Sequence, residues 1–243
     1  MTQDTGQAGS PQVRVLAVSC SRHRPLMLRH CIMQMQRQTY PVDHVIYLNS
    51  DEDQATDHSS LDYSRLIEDA CSPGAGRVFL DYGPTKSPHG NYLAALALVD
   101  IEDYDLFIKI DDDDIYLKGY AEDIVADFRA NRWDYSGTHS HGLLNGRRWY
   151  PDTRMQDLGM GADDHALKIP GIMPPSSAFS RRAMKAIMAA NDATSAANGV
   201  WDDYMWRRVV GRTPGLVMAQ RQDENFVYNI HGGNAFAAPW FKP

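Results

Sequence analysis

The stretch Phe107-Ile108-Lys109-Ile110-Asp111-Asp112-Asp113-Asp114 decides how this chain is read. A β-forming apolar segment runs straight into four consecutive carboxylates. Four like charges at a strand end repel one another and cost stability. A hard divalent cation such as Mg²⁺, Mn²⁺ or Ca²⁺ removes that cost by binding carboxylate oxygen. A strand that delivers carboxylates to the C-terminal edge of a sheet also delivers them to the place where α/β folds bind ligands. A solvated acidic turn is the plainer alternative. The run interrupts an apolar strand, however, and Ile115-Tyr116-Leu117 follows at once, so it is read as a metal site.

Outward from this stretch, strand and helix signals alternate. Residues 13–19 form an apolar strand. Pro25 opens a helix with Leu28, Cys31, Ile32 and Met35 at i, i+3, i+4 and i+7. A second strand at 45–48 leads into a polar loop, 49–60, and a helical stretch, 61–70. A third strand at 77–81 follows the turn Ser72-Pro73-Gly74. An Ala/Leu-rich helix spans 91–99, and the strand 106–110 carries the acidic run. Leu117, Tyr120, Ile124 and Phe128 then mark another helix face. Alternation with short connections implies right-handed crossovers and a largely parallel sheet. The second half is less regular. Residues 138–169 lack periodicity, carry His139, His141, Arg147, Arg148, Trp149 and Tyr150, and are expected to be a long functional loop. Ser180 is expected to cap a helix carrying Met184, Ile187 and Met188. A small-residue linker is expected at 191–199, a short helix at 201–210, and strands at 216–219 and 226–230. The last strand leads into His231-Gly232-Gly233.

Composition narrows the classes. With 243 residues, 43% hydrophobic and 23% charged, the chain is a globular protein able to bury a sizeable core. A formal net charge of −7 and the lack of a Lys/Arg-rich stretch exclude a nucleic-acid partner. Cys20, Cys31 and Cys71 are odd in number and form no CxxC pair. Structural zinc and a disulfide framework are therefore not expected, and a reducing, cytoplasmic location is. Residues 1–11 read as a flexible tail without the apolar core of a signal peptide. No apolar run has transmembrane length, which leaves peripheral membrane contact open.

Four elements stand in order: Ser19-Cys20-Ser21-Arg22-His23-Arg24-Pro25, the acidic run, Trp201-Asp202-Asp203-Tyr204, and His231. Together with Gln38-Thr39-Tyr40-Pro41 and Ala178-Phe179-Ser180-Arg181, they resemble inverting GT-A-fold glycosyltransferases of the family 2 type over most of residues 13–231. The acidic run is similar to that family's DxD motif. The resemblance implies an α/β, Rossmann-like single domain at 12–243, with a mostly parallel central sheet flanked by helices. Its nucleotide-binding half would be 12–116 and its acceptor-binding half 117–243. It makes Asp113 the main metal ligand and turns Asp111 to the ribose or, through water, to the metal. His231 would help bind the metal, or is an ordinary histidine beside the tight Gly232-Gly233 turn. Nucleotide and sugar would lie against Ser19, Cys20, Ser21, Asn49, Asn91 and Asp112, with Arg22 or Arg24 reaching phosphate. Arg24 as a solvated helix-terminal residue and Asn91 as a helix cap are the structural alternatives. Asn49 stands where the family often has a uracil-reading aspartate, and it still offers a donor and an acceptor, so UDP is favoured.

Inverting transfer also needs a base on the acceptor hydroxyl. The resemblance points to Asp203, with Asp202 its neighbour. Adjacent helical residues point about 100° apart, so only one can face the anomeric carbon. Both would also favour a helix N-terminus electrostatically. Trp201 is the candidate for stacking on the acceptor side. The implied activity is Mn²⁺- or Mg²⁺-dependent transfer from a nucleotide-sugar to a glycan or lipid-linked saccharide, in bacterial surface polysaccharide synthesis. Three rivals are weighed. A sugar-nucleotide pyrophosphorylase would need a Gly-rich loop, and residues 19–25 contain no Gly. A non-catalytic divalent-ion or glycan-binding module would not need Asp203. A metal phosphohydrolase of the DxDxT kind would need Thr, and Ile115 follows the run.

Overall fold

Six of the seven residues of strand β1 (Val15–Ser21) are buried, as expected of a strand covered on both faces in the middle of a parallel sheet. In the computed structural model, which describes residues 12–22, 24–49, 71, 75–83, 88–145, 148–154, 176–198 and 203–230, β1 pairs in parallel with β2 (Val42–Asn49) on one side. On its other side lies β4 (Leu106–Asp111), also parallel, and β2 pairs in parallel with β3 (Val78–Gly83). Helix α1 (Pro25–Gln36) starts with Pro at its first turn, where the missing N–H costs nothing. Helix α2 (Pro88–Leu96) packs on β1 and β2. The two-residue period of the strands sorts the core into two layers. Val15, Ala17, Ile108 and Ile110 face α1 and helix α3 (Tyr120–Asn131). Leu16, Val18 and Phe107 face α2 and the later helices.

Beyond β4 come β5 (Ile115–Tyr116), α3, β6 (Tyr135–Asn145), β7 (Arg148–Arg154), β8 (Ala178–Ser180), α4 (Arg181–Asn198), α5 (Asp203–Arg212) and β9 (Met218–Ile230). The sheet order is β3-β2-β1-β4-β8-β6-β9-β5, with β7 on β6. β8 runs antiparallel to β4 and β6, while β6 and β9 are parallel. The first four strands thus make the parallel half and the remainder a mixed half. Among the described residues no helix is long and apolar enough to cross a membrane.

Three expectations are corrected. Residues 138–145 and 148–154 are not loop but belong to β6 and β7, which pair with each other, and the remainder of the expected loop, 155–169, lies outside the described residues. Register shifts at Thr138/Ser140, Ser140/Gly142 and His141/Leu143 break the alternation that would have announced the strands. The linker at 191–199 is instead the end of α4, which runs to Asn198 through alanines, the best helix formers. The strands at 216–219 and 226–230 are one strand, β9. In its polar middle Gln220, Gln222 and Glu224 are exposed while Arg221 and Asp223 are buried, paired with each other at 3.4 Å, and Arg221 donates to Ser176 O at 2.6 Å. Ser180 does cap α4: its Oγ accepts from Ala183 N at 3.2 Å and donates to Asp134 Oδ1 at 2.6 Å. The helix expected at 61–70 lies outside the described residues.

His44 on β2 is fully buried. Its Nε2 lies 2.8 Å from Ser19 Oγ, and Nδ1 has no hydrogen-bond partner among the described residues. Burial pushes its pKa down to about 3. The unfolded value is about 6.5, so the unfolded chain binds more protons at acid pH. The stability carried by neutral His44 is complete above about pH 6.5 and is lost as pH falls towards 3, by up to about 1.4 kcal/mol per pH unit. His44→Gln keeps a partner for Ser19 and removes the titration. Its Tm should fall less steeply than wild type between about pH 6.5 and 4.5; equal slopes would contradict a buried neutral imidazole.

Candidate active site

The acidic run forms the turn between β4 and β5 at the C-terminal edge of the parallel strands, with Asp114 N donating to Asp111 O at 3.4 Å. Four elements hold it. Asp111 N donates to the Tyr116 hydroxyl at 2.8 Å. From β9, Asn229 donates through its backbone N–H to Asp114 Oδ1 and through Nδ2 to Asp113 O, both at 3.0 Å. From α1, Gln34 donates to Asp114 O at 3.4 Å and accepts from Tyr116 N. From β1, the Ser21 hydroxyl donates to Asp112 Oδ2 at 2.5 Å. The backbone of Asp111, Asp113 and Asp114 and the side chain of Asp112 are thus held by partners from one helix and three strands.

The four carboxylates separate into distinct environments. Asp111, Asp113 and Asp114 converge, each offering an oxygen within 4.8 Å of the others. Asp114 is 2% exposed, and among the described residues its Oδ2 has no hydrogen-bond partner. Burial, then the charge of Asp111, pushes its carboxyl well above the usual carboxylate range. Asp112 points away, to Ser21 and to Arg24, whose Nη2 lies 2.6 Å from Asp112 Oδ1. Burial raises the Asp112 pKa to about 6. The other end of the Arg24 guanidinium, Nη1, lies 2.6 Å from Asp113 Oδ2. Arg24 therefore meets carboxylates here rather than open solvent. Asp111 Oδ1 receives Lys109 Nζ at 2.7 Å and the Tyr92 hydroxyl at 3.0 Å.

The other candidate residues are placed as follows. Cys20 stands beside Asp111 in register, half-buried. The Ser19 hydroxyl is buried beneath the sheet and engaged with His44. Asn49 ends β2, and Asn91 lies in the first turn of α2, which begins at Pro88, so Asn91 is not the helix cap. The Oδ1 atoms of both asparagines are buried and have no hydrogen-bond partner among the described residues. Buried amide oxygens are normally paired, and unpaired ones at a sheet's ligand edge are open to a donor from outside. Asp203 is the first residue of α5; its side chain, together with Trp201, Asp202 and His231, lies outside the described residues. Helix α5 is anchored through Trp206, whose ring meets Tyr92 edge-on at 5.4 Å and Phe179 at 5.3 Å. On the α1 side of the turn, Leu26, Met27, His30, Asp112–Ile115, Leu144 and Asn229 line a cavity of about 240 Å³.

Sequence reasoning missed Gln34, Tyr92, Lys109, Asp114 as a separate group, and Asn229. A signal existed for Lys109. It is the one charge inside an apolar strand, two residues from Asp111, so the two side chains share a face.

This sheet order, with carboxylates at the edge of the parallel half, is the fold of GT-A glycosyltransferases. Among solved structures, the chain is similar to S. aureus TarS residues 1–349, with a TM-score of 0.58 and 11% identity over 89% of this chain and 60% of that one. The complex of the same protein with UDP-GlcNAc gives a TM-score of 0.59 at 11% identity, over 91% and 60%. The mannosyltransferase PcManGT from Pyrobaculum calidifontis, in complex with GDP-Man and Mn²⁺, gives 0.58 at 12% identity, over 90% and 57%. The 4-diphosphocytidyl-2C-methyl-D-erythritolsynthase from Anaerococcus prevotii DSM 20548 gives 0.52 at 13% identity, over 88% and 89%. The chain thus spans about 60% of the length of the glycosyltransferases it resembles. No protein-family profile and no curated protein sequence matches it.

Asp114→Asn keeps the acceptor for Asn229 and removes a buried charge. Without metal, at neutral pH, it should raise Tm by about 2–4 °C, equivalent to about 1 kcal/mol. It should also cancel most of the stabilisation that Mn²⁺ gives the wild type. A lower metal-free Tm in a thermal melt would show that the ionised carboxylate is already compensated.

Proposed function

We propose that the chain is a metal-dependent, inverting glycosyltransferase of hexosyltransferase type. It would move a sugar from a nucleotide-sugar donor, UDP-linked in the favoured case, to a saccharide or lipid-linked saccharide acceptor. The observation that carries this reading is the convergence of Asp111, Asp113 and Asp114, with the unpaired Asp114 Oδ2, at the ligand edge of a GT-A sheet. An all-carboxylate donor set fits Mn²⁺ or Mg²⁺. Asp113 and Asp114 would hold the ion, with Asp111 beside them and His231 as a further ligand. When bound, the ion supplies positive charge opposite a diphosphate leaving group.

The chain's own residues carry the other steps. Arg24, 34% exposed, can turn from Asp113 to phosphate oxygen. The unpaired oxygens of Asn49 and Asn91 accept hydrogen bonds from base or ribose, beside Cys20, Ser21 and Asp112, with Ser19 buried behind them. Asp203 takes the proton from the acceptor hydroxyl as its oxygen attacks the anomeric carbon from the side opposite the diphosphate, which inverts that carbon. Asp202 is the neighbouring candidate for the same role. Trp201 stacks on the acceptor sugar. The setting would be bacterial surface polysaccharide assembly in the cytoplasm, with peripheral membrane contact where the acceptor is lipid-linked.

The likeness to the erythritolsynthase, which covers almost all of both chains, favours a second reading, nucleotidyl transfer. The exit of β1, residues 19–25, argues against it because it has no Gly to cradle a triphosphate. Thermal melts with nucleoside diphosphates and triphosphates, with and without Mn²⁺, separate the two. A diphosphate at about 100 times its Kd should add about 2.7 kcal/mol, and only with metal present. Stabilisation by CTP or UTP alone would favour nucleotidyl transfer, and full turnover in excess EDTA would end the metal reading.

Asp203→Asn should lower kcat by about 10² to 10⁴, the usual worth of a general base, with donor affinity little changed. The same change at Asp202 should be milder. Normal release of nucleoside diphosphate in both variants would remove this segment from the mechanism.

A further inference from the structure

Lys109 is 3% exposed, on the face of β4 that packs against α2. Its ammonium lies 2.7 Å from Asp111 Oδ1, the oxygen that also accepts from the Tyr92 hydroxyl at 3.0 Å. The Tyr92 ring centroid is 5.4 Å from the same ammonium. No hydrogen bond among the described residues reaches Asp111 Oδ2. The two cations at the acidic run therefore differ. Arg24 is one-third exposed and can leave Asp113, whereas Lys109 is enclosed and its partner Asp111 is fixed beside it. A divalent ion bonded to Asp111 Oδ1 would stand within a few ångströms of a fixed positive charge, and like charges at that range repel strongly in a poorly solvated site.

We infer that Lys109 is a positioning residue that neutralises Asp111 and keeps it out of the cation's coordination shell. The divalent ion is then held by Asp113 and Asp114, and Asp111 Oδ2 is left as an acceptor for a hydroxyl of the donor. Tyr92 shares the task. Because its ring also meets Trp206 of α5, the Lys109–Asp111 pair fixes the contact on which the helix starting at Asp203 rests. The inference rests on the metal reading above and assigns the parts within it.

The test is a charge cycle read by Mn²⁺ binding alone, for instance from the electron paramagnetic resonance signal of free Mn²⁺, with no nucleotide and no turnover. Lys109→Met leaves one more negative charge at the turn and should tighten Mn²⁺ by about tenfold. Asp111→Asn leaves the ammonium unopposed and should weaken it by a similar factor. The double variant Lys109→Met/Asp111→Asn restores the balance of charge, and its Kd should return to within about fivefold of wild type. A double variant weakened beyond that range overturns the inference, because Asp111 would then be a ligand in its own right. Should Lys109→Met alone fail to fold, the double variant, which buries neither charge, still decides the matter. Wild-type protein that binds no Mn²⁺ would overturn the metal reading itself, which is a separate result. A purely structural role for Lys109 predicts shifts in Tm with no opposed pair of Mn²⁺ affinities.

Discussion

Four adjacent carboxylates at the end of a buried strand must be held together against their own repulsion, and the site is organised around that constraint. Two of the four, Asp112 and Asp114, are almost wholly buried, where an ionised carboxylate is costly without partners. The protein meets the cost unevenly. Ser21 and Arg24 take Asp112, Lys109 and Tyr92 take Asp111, and Arg24 also reaches Asp113. Among the described residues, Asp114 receives only the Asn229 N–H on one oxygen, and its other oxygen has no hydrogen-bond partner. A carboxylate left unbalanced among the described residues is where the proposed cation would bind.

The fold follows from the same turn. The apolar strands β1 and β4, covered on both faces, push their polar ends to one edge, where the turn is pinned by α1, β1, β5 and β9. The pins come from both halves of the sheet, so the parallel half that would face a nucleotide and the mixed half that would face an acceptor meet at the acidic run. On the α2 side, contact passes from Asp111 through Tyr92 to Trp206, and so from the proposed metal site to the helix that begins with Asp203.

The parallel half was readable in the sequence because its strands are mostly apolar and α1 keeps a clean 3.6-residue period. Strands at 13–19, 45–48, 77–81 and 106–110 lie on β1 to β4 to within a few residues. The mixed half was not, for physical reasons that differ by element. β6 carries register shifts, β9 hides a buried ion pair in its middle, and the last turns of α4 consist of small residues that resemble a linker because no large side chain marks a face. Of the candidate residues, Ser21 and Arg24, picked out by type and order, do contact the acidic run. Which carboxylate goes where could not be read, because it depends on partners far away in sequence. Ser21 is 91 residues from Asp112, and Asn229 is 115 from Asp114. Adjacent residues with identical chemistry are distinguished only by what the fold brings to each.

The decisive observation is a crystal structure grown with Mn²⁺ and a nucleoside diphosphate, with the metal located by its anomalous scattering. The expected result is one strong peak beside Asp113 and Asp114, with Arg24 moved from Asp113 to phosphate. No peak at the turn, with Arg24 still bound to Asp112 and Asp113 while the nucleotide occupies the sheet edge, would contradict it.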